Sequence, residues 1–163
     1  MALPVLLLTS ACSPDAAGEV GLTIDGQGRL VALIAVCHGY LDGVSLYRSD
    51  TNNSDDASND RGEWQHSGRI KFDARLTMEA PEESWTPTTR LRPLEADHRF
   101  TVYAWTKSSD WTAGGPGFRV SDLRRLDAYH VLMLRSSEEE EKSVSPFAPV
   151  SRFHDLACGP TDG

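Results

Sequence analysis

The residues able to do chemistry are scattered along the chain, and their spacing argues against most of the reactions their types suggest. Five histidines, His38, His66, His98, His130 and His154, fall at intervals that match no pair of metal ligands. Cys37 and His38 are the types of a thiol nucleophile and its base. Neighbours on a strand project to opposite faces, so that thiol and imidazole diverge. His38 and Asp42 bracket a tight loop, where a hydrogen bond between them would steady the turn. Asp50, Asn52 and Ser54 fit the first three ligand positions of an EF-hand calcium loop. Asp55 then stands where glycine is required, and Arg61 where the bidentate glutamate belongs. Glu82 and Glu83 are adjacent, whereas the carboxylates of a glycosidase face each other across a cleft. The chain has no G-x-S-x-G elbow, Walker loop, dinucleotide fingerprint or H-E-x-x-H motif. No catalytic residue, metal site or cofactor is assigned.

The feature that points to a ligand is aromatic. In the segment His98–Thr106, Phe100, Val102 and Ala104 alternate with Thr101, Tyr103 and Trp105. A half-buried strand follows, with Tyr103 and Trp105 on its outer face. Trp111 on the next loop is expected to join them in a patch that stacks on a sugar ring or a peptide. The net charge of −8 and pI near 5.0 argue against nucleic acid, or an anionic lipid surface, as a partner.

The elements that position these residues are short and β-rich. Val20–Ile24 reads as a first strand, closed by Asp25-Gly26 and Gly28. The apolar run Arg29 to Arg48 reads as two adjacent strands, Leu30–Cys37 and Gly43–Arg48, on which the rest is organised. Ser49–Glu63 is a hydrophilic loop. Gly68–Leu76 alternates, with Ile70, Phe72, Ala74 and Leu76 on its buried face. Pro87 demotes Trp85–Leu91 to an edge strand. Lys107–Gly117 is a glycine-rich loop, Ser121 caps a short helical turn, and Tyr129–Arg135 is a late strand. Glu138–Glu141 repel one another and stay in solvent. Phe147, Val150 and Phe153 anchor the return to Cys158. Strands without strand–helix–strand alternation argue an all-β fold, an antiparallel β-sandwich with one helical turn. A single domain over residues 20–159 is expected.

Two resemblances sharpen this reading. Leu91 and Pro93 followed by Phe100, Val102 and Ala104 are loosely similar to the turn that leads into the sixth strand of fibronectin type III domains. That likeness implies an immunoglobulin/fibronectin III-like sandwich and no particular activity. At the N-terminus, an apolar run ends in Ser10-Ala11-Cys12, which resembles the lipobox of bacterial lipoproteins. This resemblance implies that residues 1–12 are a lipoprotein leader and that Cys12 becomes the lipidated N-terminus. Residues 13–19 would then be a tether. The run is too short for a transmembrane helix, which needs about 18–20 apolar residues. Of the three cysteines, Cys37 and Cys158 are left to pair in an oxidising compartment. The whole layout resembles small actinobacterial lipoproteins of unassigned role. It implies a non-enzymatic domain on the outer face of a bacterial plasma membrane, binding a protein or glycan partner. The competing readings are a secreted hydrolase with a site built from scattered loop residues, and a purely structural envelope component.

Overall fold

Asp25 builds the first turn. Its carboxylate accepts the N–H groups of Gln27 and Arg29, both at 2.9 Å, and Gly28 supplies the positive φ of 77° that reverses the chain. A computed structural model describes residues 14–51, 56–134 and 146–159. In it β1 (Asp15–Ile24) and β2 (Leu30–Val36) fold back on this turn in antiparallel register, with Val20 opposite Ile34 and Leu22 opposite Ala32. β2 and the second half of β1 are buried on two faces, which explains the continuous apolar sequence of β2.

Residues 37–40 then form a corner. The N–H groups of Cys37 and His38 both donate to the carbonyl of Ala17, at 2.7 and 3.0 Å. Beyond it run β3 (Leu41–Arg48), β4 (Asp60–Ile70), β5 (Ala74–Thr77), β6 (Trp85–Thr89), β7 (Phe100–Trp105) and β8 (Trp111–Phe118). A short helix α1 (Val120–Leu123), two brief strands, β9 (His130–Leu132) and β10 (Phe147–Pro149), and a C-terminal helix α2 (Phe153–Cys158) complete the order.

The ten strands among the described residues belong to one sheet, with the path β6-β4-β3-β7-β8-β1-β2-β5. One edge of β1 is shared, β8 pairing with its first half in parallel and β9 meeting Leu22. The sheet curls until it is nearly barrel-shaped. Its two ends, β5 and β6, are joined by a short connection, and the indole N–H of Trp85 donates to the carbonyl of Arg75 at 2.9 Å across the seam. Leu22, Ile34, Leu46, Trp64, Phe100 and Phe118 fill the inside and are almost completely buried. A second cluster of Ala35, Val131 and Phe153 lies where α2 covers the outer face of β1 and β2. The Cys37–Cys158 disulfide fixes that helix, with Cα atoms 5.3 Å apart across 121 positions of sequence.

The all-β class and the alternation of β7 are as expected, as is Pro87 on a strand at the end of the path. An immunoglobulin- or fibronectin III-type pairing of two sheets is not confirmed, and the β1–β8 pair is parallel. Several local expectations are corrected. The two strands of Arg29–Arg48 are not partners: β2 pairs with β1 and β5, and β3 with β4 and β7. Residues 15–19, expected in a tether, are strand. Gly68–Leu76 breaks at Lys71–Asp73, leaving Phe72 82% exposed. The glycine-rich loop is largely strand β8. Its small residues allow close approach: a Cβ at Gly115 would stand 2.5 Å from the carbonyl oxygen of Val102. Arg119, not Ser121, occupies the N-cap of α1, and its N–H donates to the Asp122 carboxylate at 2.8 Å. Glu138–Glu141 and Cys12 lie outside the described residues.

Candidate functional site

Alternation on β3, β4 and β7 divides their side chains between the core and an outer face. Val44, Leu46, Trp64, Val102 and Ala104 point inward and are buried. Register then aligns Tyr103 of β7, Ser45 of β3 and Glu63 of β4 in one row on the other face. Tyr47 stands beside Tyr103 with their rings edge to face, centroids 5.6 Å apart. Trp105 follows Tyr103 by two residues and lies against Gly43, whose missing Cβ leaves room for the indole. Tyr103 and Trp105 are each half-buried.

Hydrogen bonds join the row. The Trp105 Nε1–H donates to Ser45 Oγ at 2.8 Å, and that hydroxyl donates to Glu63 Oε2 at 3.3 Å. Thr88 Oγ1 donates to Glu63 Oε1 at 2.6 Å. The carboxylate is thus steadied from both sides without a cationic partner in the row. Ser45, Tyr47, Asp60, Gly62, Glu63 and Tyr103 line a surface cavity of about 300 Å³. Burial of the Tyr103 ring raises its phenol pKa; the hydrogen bond with Ser45 opposes this, and the nearby Tyr47, Glu63 and Asp60 each add a smaller upward push. Tyr103 is therefore a neutral donor at physiological pH. The arrangement offers flat ring surface, a phenol donor and carboxylate acceptors.

Trp111 does not share this face. Trp105 pairs with Thr112, so Trp111 falls on the opposite side of β8, where it packs on the core and covers Gly39. Asp42 accepts the N–H of Lys107 at 2.9 Å, anchoring the β7–β8 turn. Asp50, the first residue of the calcium-like loop, is held by Arg48 at 2.8 Å and His98 at 3.1 Å. Arg48, then His98 and the Arg99 N–H, keep its carboxyl well below the usual carboxylate range against the opposing effect of burial. Glu82 accepts from the N–H and hydroxyl of Thr77. His130 with Asp127 and His154 with Asp73 are exposed pairs, each at 2.8 Å. Among the described residues no group of three or more His, Cys, Asp and Glu is arranged to hold a metal. No helix among them is long and apolar enough to cross a membrane.

Sequence reasoning missed Ser45, Tyr47 and Glu63. Ser45 and Tyr47 carried a signal, because they alternate with Val44 and Leu46. Glu63 carried none, being assigned to the hydrophilic loop, and only cross-strand register brings it to Tyr103. Comparisons with protein-family models, with characterised proteins and with solved structures return no match.

Proposed function

We propose that this chain is a non-enzymatic binding domain that holds a neutral glycan against the outer face of β3, β4 and β7. The observation that carries this reading is the Trp105–Ser45–Glu63–Thr88 row beside the Tyr47–Tyr103 pair. Sugar rings present apolar C–H faces that stack on aromatic side chains, and hydroxyl groups that donate to carboxylates. Glu63 and Asp60 accept, Tyr103 donates, and the negative charge of the cavity disfavours anionic ligands. The decisive experiment is titration of the protein with a neutral oligosaccharide, chitotriose, followed by tryptophan fluorescence and calorimetry. Saturable binding weakened at least about tenfold by Trp105→Ala supports the reading, since losing the ring's buried area and its stacking together exceeds about 1.4 kcal/mol. No saturation, or binding indifferent to Trp105→Ala and Glu63→Gln, overturns it.

The same proposal includes placement outside the cytoplasm, anchored to the membrane through a lipid on Cys12. The Cys37–Cys158 disulfide supports it, because such bonds persist in oxidising compartments. Intact mass of the protein purified from its native host, before and after reduction, tests it. Loss of residues 1–11, a diacylglycerol adduct and the mass of two hydrogens gained on reduction are expected. An unprocessed chain with three free thiols would sink the proposal.

A further inference from the structure

The seam between β5 and β6 is closed by side chains rather than by a strand ladder, and two cavities open beside it. The larger, of about 480 Å³, is lined by Ile24, Leu30, Leu91, Leu94, Val120 and Leu123. The smaller, of about 380 Å³, is walled by Trp64, Met78, Pro81, Pro87 and Arg90. Glu79 and Leu91 line both, so the two are neighbours. Arg61 fixes the loop that roofs them: its guanidinium pairs with Glu95 at 3.1 Å, and its carbonyl accepts the Arg92 N–H at 2.7 Å.

Three features point to one kind of ligand. In the larger cavity Ile24, Leu91, Leu94, Val120 and Leu123 are only half-buried by the protein's own atoms. Arg90, Arg92 and Arg124 stand at the rims, exposed and without an ion pair among the described residues. Against them stands one carboxylate, Glu79, which accepts the Leu30 N–H at 3.0 Å. This local excess of cation departs from a chain whose net charge is −8. Trp64, fully buried, has an indole N–H with no hydrogen-bond partner, a group that native structures seldom leave unsatisfied.

We infer that these adjacent cavities bind a single-chain amphiphile with an anionic head, of the fatty-acid class. The chain occupies the larger cavity. The head lies where the two rims adjoin, with Arg92 and Arg124 on the larger cavity's side and Arg90 and Trp64 on the smaller one's. The site is separate from the outer-face aromatic row and shares no residue with it.

The test is calorimetric titration of the folded protein with octanoate, decanoate and dodecanoate below their micellar concentrations, with the Trp64 indole N–H followed by NMR. Saturable 1:1 binding is expected, tightening about tenfold for each two methylenes buried. The Trp64 N–H resonance should move on saturation. Arg92→Glu with Arg124→Glu, both at exposed positions, should weaken dodecanoate at least about tenfold through charge reversal. Trp105→Ala should leave it unchanged, which separates this site from the glycan site. Absence of saturation, equal affinity for dodecanol, a static Trp64 resonance or indifference to the double arginine variant would each overturn the inference.

Discussion

Individual side chains on the outer face matter through what they hold in place. Ser45 receives the Trp105 indole and donates to Glu63, so Ser45→Ala should leave the indole donor unpaired and loosen the carboxylate. The expected loss of stability is about 1–3 kcal/mol, measured by urea unfolding of the variant. Asp50 makes a prediction in pH. Arg48 and His98 depress its folded pKa, so its stabilising contribution is present above the ordinary carboxylate value of about 3.9 and is lost as pH falls through the folded value. The Arg99 amide, which donates to Asp50 at 3.2 Å, should keep its NMR shift down through pH 4 and move only in stronger acid. A midpoint near 4 would show that the clamp is not formed in solution. Phe72 stands out for the opposite reason. With 82% of its surface exposed, Phe72→Ser should change stability by no more than about 0.5 kcal/mol in thermal unfolding.

Strands and helices are positioned here by close backbone approach and by one covalent link. Gly18 lies at an irregularity between β1 and β8, and a Cβ there would collide with the Ala35 carbonyl of β2. Gly18→Val should abolish folding or lower the melting temperature severely. Gly26→Ala, with open space around it, serves as the control that should not. β8 follows the same logic. Its run of Gly114, Gly115 and Gly117 with Pro116 has the composition of a loop, yet it lies between β1 and β7, with a register shift that absorbs the proline. Helix α2 has only six residues and cannot persist alone. Its place depends on Phe153 in the second cluster and on Cys158. Removing both cysteines by Cys37→Ser and Cys158→Ser should cost about 4–5 kcal/mol in urea unfolding, as expected for opening a loop of about 120 residues. Amide exchange in residues 153–158 should rise before that of β1.

For the molecule as a whole, the inside of the sheet is filled, a second cluster lies under α2, and the proposed binding surfaces lie on the outside and at the seam. Composition and alternation were enough to establish a β-rich chain of short strands, because burial on one face writes period two directly into β7. The pairing of Cys37 with Cys158, expected once the lipobox resemblance set Cys12 aside, agrees with the disulfide observed. What the sequence left open was partnership. β2 and β3 are consecutive and both apolar, yet the corner at residues 37–40 sends them to different neighbours. Nothing in either strand's composition encodes which partner it meets, since the choice is made by how the whole sheet curls. Residues 15–19 are drawn into pairing with β2 and β8, and the break at Lys71–Asp73 leaves Phe72 outside. The candidate site was half legible for the same reason. Tyr103 and Trp105 share a face by local periodicity, a property of one strand. Ser45, Tyr47 and Glu63 reach them only through cross-strand register, and Trp111 leaves them because one residue of offset on β8 reverses its face. Local chemistry and periodicity are short-range and can be read along the chain. Strand order, register and the closure of the sheet are settled by packing among segments far apart in sequence.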